Sequence, residues 1–298
     1  MEKRLLLIIN PCSGQKTGKR HLASVVELFC RAGYIPTVFV TTAAGDGRQI
    51  TARHAARHDL VVCMGGDGTF NEVVSGLLDC GADVPIGYIP CGSTNDFASS
   101  VGLNKKLLKA AQDIIDGTPR TFDVGLFGDR YFTYIASFGA FTRASYETPQ
   151  NVKNALGHMA YVLGGVQDLF AIKPRYLTVE TPDATFDGEY IFGAISNSTS
   201  VAGLLTLNPD YVDMNDGLLE LLLIKMPKSP LELEECIRCL QKQTYDSPLL
   251  TFHSASRMTV HAPDDMPWTL DGEKENGHSE ITVRNLHDAI RLVVPPEK

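Results

Sequence analysis

Residues 65–69 read Gly-Gly-Asp-Gly-Thr, between the apolar run DLVVCM (59–64) and the amphipathic run FNEVVSGLLD (70–79). Glycine lets a backbone approach a ligand closely, and the start of the helix that follows favours an anion. A cradle for phosphate alone has no use for a carboxylate, so Asp67 is the informative residue. A cation bridging Asp67 to phosphate would give it a role, and so would a proton passing to it from an incoming hydroxyl. Both belong to phosphoryl transfer. The plainer reading is a glycine-rich turn in which Asp67 caps the helix. Two further loops weigh against that. Asn10-Pro11-Cys12-Ser13-Gly14 follows LLLII (5–9), and PCGSTND (90–96) follows IGYI (86–89). Each trails a run of strand length and carries small, hydroxyl-bearing or amide residues. Thr41 closes a fourth such run, IPTVFV. There is no G-x-x-x-x-G-K-[ST], so this is not a Walker-type site.

Two acidic stretches lie far downstream. In Leu270-Asp271-Gly272-Glu273 the acids are two apart. An extended segment would point both to one face. Asp-Gly is also a strong turn signal, which would make the stretch an exposed hairpin tip. In Val212-Asp-Met-Asn-Asp-Gly-Leu218 the acids form a tight loop that suits a hard cation, although the spacing is not that of an EF-hand. On the residues alone it reads as a turn before a strand.

The elements around these loops divide the chain. Up to about residue 120, strand and helix alternate. Strands are expected at LLLII, 35–41, DLVVCM and IGYIP; helices at 21–33 (ended by Gly33), 47–58, 70–79 and 107–117. That order predicts a parallel sheet covered on both sides. From 120 onward short β-rich runs dominate: RTFDVGLF, RYFTYIASFG, RYLTVE, EYIFGAIS, LLELLLIK, SRMTVHA, SEITVRN and AIRLVVP. Turn signals fall at 128–129, 182–183 and 187–188, and helical patterns at 151–171 and 229–243. The expected architecture is an N-terminal doubly wound α/β nucleotide-binding domain, 1–123, to which about 288–298 returns. A β-rich, antiparallel sandwich-like domain for the substrate, 124–287, follows. A cleft between two domains is a common ligand site.

Bulk properties exclude several classes. A net charge of −8 disfavours a general nucleic-acid binder. The apolar run near the start is only Leu5 to Ile9, too short for a secretory segment, and no run reaches membrane-spanning length. Seven scattered cysteines suit a reducing compartment better than a disulfide framework. Cys236 and Cys239 have no partner pair to complete a zinc set and read as two buried thiols on a helix. Trp268, the only tryptophan, could wall a cleft or sit in a core.

NPCSG, GGDGTFNEV and GSTNDFA together resemble the nucleotide-binding loops of the diacylglycerol kinase catalytic domain, shared by bacterial lipid kinases and sphingosine kinases. The resemblance extends over nearly the whole chain through YIASFGAF, NVKNALGHMAYVLGG, VDMNDGLLELLLI and TLDGE. GGDGT alone also admits NAD kinases. The resemblance implies an ATP- and Mg²⁺-dependent kinase that phosphorylates a lipid hydroxyl, foremost diacylglycerol. It places ATP against Asn10, Pro11, Cys12, Ser13, Gly14, Thr41, Gly65, Gly66, Asp67, Gly68, Thr69, Asn71, Glu72 and Thr94. It gives Asp67 the metal–phosphate arrangement, Glu273 the acceptor's proton, Asp271 a supporting role and Asp123 a further acidic position. It raises a second, structural Mg²⁺ site at Asp213, Asp216 and the Leu218 carbonyl. It also implies a cytoplasmic protein that meets its lipid at a membrane surface, and it allows a homodimer. The chain departs from the family at Gly92-Ser93-Thr94, commonly Gly-Thr followed by Gly or Ala, and at Ser99-Ser100, where many relatives carry Arg. The competing expectations are an NAD-kinase-like enzyme and a nucleotide-binding regulator that transfers nothing.

Overall fold

The computed structural model describes residues 2–14, 17–139, 173–201 and 205–296. The helical segment expected at 151–171 lies outside them. The chain divides into two compact units, Met1–Asp123 with Asp288–Lys298, and Val124–His287.

The first unit is a parallel sheet. β1 (Lys3–Ile9) lies between β2 (Tyr34–Val40) and β3 (Leu60–Gly65), and β4 (Ile86–Pro90) continues beyond β3. Parallel neighbours need crossovers, and helices supply them. These are α1 (Thr17–Arg31), α2 (Asp46–His54) and α3 (Asp67–Cys80); the short α4 (Asp96–Ser100) and α5 (Leu107–Asp116) follow β4. β1 explains why both faces must be covered. Leu5, Leu7 and Ile9 join a core with Val25 and Phe29 of α1 and Ala111 and Ile114 of α5. Leu6 and Ile8 point the other way and are also fully buried, on the side where α2 packs against α3. Gly33, at φ +84°, ends the α1 crossover, and Gly81, at φ +61°, ends α3 in the left-handed conformation that glycine adopts most easily. α1 begins earlier than its apolar spacing predicts, at Thr17 rather than 21.

The second unit is antiparallel throughout its described pairings. β5 (Thr118–Phe127) carries the chain in and forms a hairpin with β6 (Arg130–Phe132). β7 (Ile135–Gly139), β8 (Arg175–Glu180) and β9 (Thr185–Ser196) follow. The first half of β9 pairs with β8, and its second half lies between β7 and a later strand. Burial along β9 changes with its partners, from alternating to continuous. The Asp-Gly at 187–188, expected as a turn, is inside this strand. Asp187 there accepts from the Tyr176 hydroxyl at 2.5 Å and from Thr178 Oγ1 at 2.6 Å, so cross-strand partners replace the turn.

A small ribbon of β10 (Ser200–Val201) and β11 (Leu205–Thr206) precedes β12 (Leu219–Lys225), the strand that pairs with β9. α6 (Pro230–Lys242) buries Cys236 and Cys239 one turn apart, both as free thiols. β13 (Leu250–Ala255), which the sequence reading omits, pairs with β12. β14 (Arg257–His261), β15 (Trp268–Leu270), β16 (Glu273–Glu275) and β17 (Glu280–Val294) complete the unit. The runs SEITVRN and AIRLVVP form one strand, β17, whose last residues return to the first unit beside β4. Trp268 is core, with the rings of Phe127 and Phe138 at 4.9 and 5.0 Å.

Phe29 is fully buried against the edge of Tyr34, and Leu231 is 77% exposed. Phe29→Ala should therefore cost roughly 3–5 kcal/mol, and Leu231→Ala should stay within about 0.5 kcal/mol. Calorimetric melting of the full chain distinguishes them. Equal shifts would contradict this core assignment.

Candidate active site

In the first unit, β1, β3 and β4 are adjacent and parallel, so the loops at their carboxyl ends are neighbours. These loops meet main chain to main chain. A Cβ on Gly14 (φ +54°) would lie 2.3 Å from the Cys91 carbonyl oxygen, and one on Gly92 would lie 2.7 Å from Gly66 Cα. Hydrogen bonds lock the contact. Asn10 N donates to Met64 O (3.0 Å), Cys91 N donates to Gly65 O (2.7 Å), and Asn10 Nδ2 reaches Thr69 Oγ1 (2.9 Å). Cys12 N in turn donates to Asn10 Oδ1 at 2.9 Å, which folds Pro11, Cys12 and Ser13 into a tight turn. Thr41 is buried, with its N–H on Ile9 O at 2.9 Å.

Asp67 opens α3 after Gly66, partly exposed at this edge. Its Oδ2 accepts the Asp96 N–H at 3.2 Å, so the third loop holds the carboxylate of the second. Gly68 is partly buried beside it, and Thr94 stands exposed on the third loop. Glu72 is committed elsewhere. Its two oxygens accept from Gly45 N (2.7 Å) and Gly47 N (2.9 Å), capping the start of α2. Asn71 Oδ1 receives the Ser75 hydroxyl at 3.4 Å, within α3. Burial pushes the Cys91 thiol up to about 12, so it is an inert neighbour and no nucleophile.

Two residues of this edge were not singled out from the sequence. Asn95 adopts φ +54° and staples the third loop, its Oδ1 accepting from Gly92 N (2.8 Å) and its Nδ2 donating to Gly92 O (2.9 Å). Asp96 supplies the N–H to Asp67. The available signal was the Asn itself, which tolerates the left-handed region better than other side chains and bonds to nearby backbone.

The acids of the second unit separate. Leu270 and Glu273 are cross-strand partners, and Asp271 (φ +48°) and Gly272 (φ +85°) form the two-residue turn between β15 and β16. The segment is a hairpin tip, so the expectation of an extended run with both acids on one face does not hold. Nor is the tip wholly exposed. Asp271 is buried, and its carboxylate accepts from Thr133 N (2.6 Å), Thr133 Oγ1 (2.8 Å), Tyr134 N (3.0 Å) and Ile135 N (3.0 Å). Taking up those N–H groups is what breaks RYFTYIASFG into β6 and β7. Burial pushes the Asp271 carboxyl up, against the pull of these donors. Glu273 is exposed at the start of β16.

Asp123 is fully buried in the first unit and accepts from the N–H of Asp288, itself at φ +52°. In the second unit Asp213 and Asp216 are exposed. Each folds its own loop by accepting an N–H two residues on, Asn215 N at 3.0 Å and Leu218 N at 2.9 Å. The Leu218 carbonyl accepts from Asn285 Nδ2 at 2.7 Å. Among the described residues no group of three His, Cys, Asp or Glu side chains is set to hold a metal. A cation here would be held by two carboxylates and a carbonyl, with water completing its shell.

Comparison with known proteins agrees with this layout. The diacylglycerol kinase catalytic domain matches residues 4–127, and the YegS C-terminal NAD kinase beta sandwich-like domain matches 135–294. A Bacillus subtilis diacylglycerol kinase is 35% identical over 99% of this chain and 98% of its own length. A Staphylococcus carnosus diacylglycerol kinase is 30% identical over 100% and 97%. A crystal structure of a Bacillus anthracis diacylglycerol kinase shares the fold at a TM-score of 0.76, with 19% identity over 99% of this chain and 97% of that one.

The Asp271 geometry sets a stability test. Asp271→Ala leaves three N–H groups without their acceptor and forces alanine to φ +48°, and should cost about 3 kcal/mol or more. Asp271→Asn keeps one accepting oxygen and a residue that tolerates this backbone, so it should cost clearly less. Melting of both variants checks the order, and a harmless Asp271→Ala would refute the anchoring role.

Proposed function

Because this chain belongs to the diacylglycerol kinase family, we propose that it transfers the γ-phosphoryl group of ATP, with Mg²⁺, to a lipid hydroxyl, diacylglycerol giving phosphatidic acid. The observation that carries the reading is the three-loop edge of the first unit. Its main chains pack so closely that backbone groups and short side chains form its surface, with one carboxylate, Asp67, at its centre.

Asn10 to Gly14, Thr41, Gly65 to Thr69 and Thr94 would border the nucleotide. Asn71 and Glu72 support that edge from within α3, Glu72 by capping α2. Asp67 would hold Mg²⁺, which when bound neutralises charge developing on the phosphate oxygens. The acceptor oxygen forms a bond to the γ-phosphorus as the bond to the β–γ bridging oxygen breaks, leaving ADP. Glu273 takes the acceptor's proton, being exposed and at a strand end. Asp271 fixes the turn that presents Glu273. Asp123 acts on the backbone at Asp288 rather than on substrate. Asp213, Asp216 and the Leu218 carbonyl would take a second, structural Mg²⁺. No described helix is long and apolar enough to cross a membrane. The resemblance adds to this reading a cytoplasmic enzyme, in one or two copies, meeting its lipid at the membrane surface.

One observation favours a second reading: the family description matched by the second unit names NAD kinase. A single experiment tests both. Transfer of labelled γ-phosphate with Mg²⁺ is followed into lipid alcohols in mixed micelles and into NAD, with wild type beside Asp67→Ala and Glu273→Gln. Labelled phosphatidic acid is expected, falling to background in Asp67→Ala and by roughly 10²–10⁴ in Glu273→Gln. Label in NAD alone would replace this reading. No label in any acceptor, with ATP still stabilising the fold, would make the chain a regulator.

A further inference from the structure

Glu273 does not stand alone on β16. Glu275 is two residues on and therefore on the same face of the strand. Both carboxylates meet one side chain, Arg130, at the start of β6. Arg130 Nη1 bonds Glu275 Oε2 closely, and Nη2 lies 3.3 Å from Glu273 Oε2. The two partners differ in environment. The Glu275 side chain is 14% exposed and its other oxygen accepts the Asn276 N–H at 2.8 Å, whereas Glu273 is 59% exposed. The guanidinium is thus fixed on one side by a nearly buried carboxylate and offers its other nitrogen to an exposed one. The strand that carries it is itself fixed, because Phe127 and Arg130 are cross-strand partners and Gly128 N donates to Thr282 O at 2.9 Å.

From this arrangement we infer that Arg130 is a positioning residue for the transfer reaction: anchored by Glu275, it holds Glu273 in the orientation that receives the acceptor's proton. The inference rests on the reading of Glu273 as the base. Arginine suits the task because its planar fork addresses two carboxylates from fixed directions, which a lysine ammonium does not. A longer contact to Glu273 than to Glu275 also suits it. A base pinned by a tight ion pair would have to break that pair to take a proton. Arg130 moves no proton and makes no bond to the phosphoryl group.

The test is a double-mutant cycle on lipid phosphorylation in mixed micelles, using wild type, Arg130→Ala, Glu273→Gln and the pair in the full chain. Labelled phosphate reads the low residual rates. Arg130→Ala should lower kcat by roughly ten- to a hundred-fold, the scale on which misplacement of a reacting group acts, with KM for ATP and for lipid within about two-fold. In the Glu273→Gln background the same substitution should change kcat by less than about two-fold, because its only route of action is already gone. Arg130→Lys should recover part of the loss and Glu275→Gln should lose part of the rate. Wild-type kcat in Arg130→Ala would overturn the inference and leave the base reading intact. An equal loss in both backgrounds would overturn it too, by showing that Arg130 acts independently of Glu273. Full activity in Glu273→Gln would remove the base reading and this inference with it. A melting temperature unchanged in Arg130→Ala separates positioning from a folding defect, and a collapse of the fold would assign Arg130 to structure instead.

Discussion

At two points where the three loops of the first unit meet, no side chain fits. A Cβ on Gly14 would clash with the Cys91 carbonyl, and one on Gly92 with Gly66 Cα. At these points the loops are therefore positioned by direct backbone contact. That contact requires adjacent strand ends, which the order β4–β3–β1 supplies, and a parallel sheet, which puts all three ends at one edge. It also requires residues that can adopt the left-handed turns involved, which Gly14 and Asn95 do. Asn10 and Asn95 then act as staples rather than as reactive groups, one joining first loop to second and the other closing the third on itself.

The second unit shows two carboxylates with separate jobs set by environment. Asp271 sits inside a collar of three backbone N–H groups and a hydroxyl. A group so enclosed holds structure: it decides where β6 ends and β7 begins, and it seats the β15–β16 turn. Glu273, two residues on, has solvent around it and one arginine beside it. Only the second arrangement leaves a carboxylate free to exchange a proton with a ligand. The arrangement depends on the turn, because positive φ at both Asp271 and Gly272 sends consecutive side chains in directions that strand alternation would not.

That turn also explains which parts of the molecule were legible in the sequence. The parallel sheet was readable because β1, β3 and β4 are apolar on both faces and α1, α3 and α5 each carry an apolar stripe. Both patterns are dictated by burial and are local. The loops were readable because glycines and small polar residues at 10–14, 65–69 and 90–96 follow the apolar strand runs. The side-chain placements were not. Of the two readings of 270–273, period two places Asp271 and Glu273 on one face and the Asp-Gly signal places a turn, and the turn is what forms at 271–272. The same dipeptide at 187–188 lies inside β9, where Tyr176 and Thr178 satisfy the Asp instead. Whether Asp-Gly turns or continues is decided by partners distant in sequence. Glu72 follows the same logic: beside GGDGT it looks like a phosphate contact, but the start of α2 lies close enough to claim both oxygens. Arg130 gave no signal, since an arginine after Gly-Asp in a hairpin is ordinary until β16 is folded against it.

The charge on the three-loop edge carries one more constraint. NPCSG, GGDGT and PCGSTND contain no lysine or arginine between them. The positive end of α3 faces that edge, but Asp67 already sits on it, and the Asp96 N–H is turned toward the same carboxylate. The start of α2 is likewise matched by Glu72. The starts of α3 and α2 are thus matched by the protein's own acids, whereas α1, which follows the first loop, has no acid in its first turn. Within the three loops themselves a triphosphate would meet backbone donors and hydroxyls but no basic side chain. Under the proposed function, binding there would be favoured when the nucleotide carries its own counter-ion for Asp67 to coordinate. On the proposed function, a carboxylate at the centre of a phosphate cradle, which opposes a bare anion, would favour a metal-complexed one.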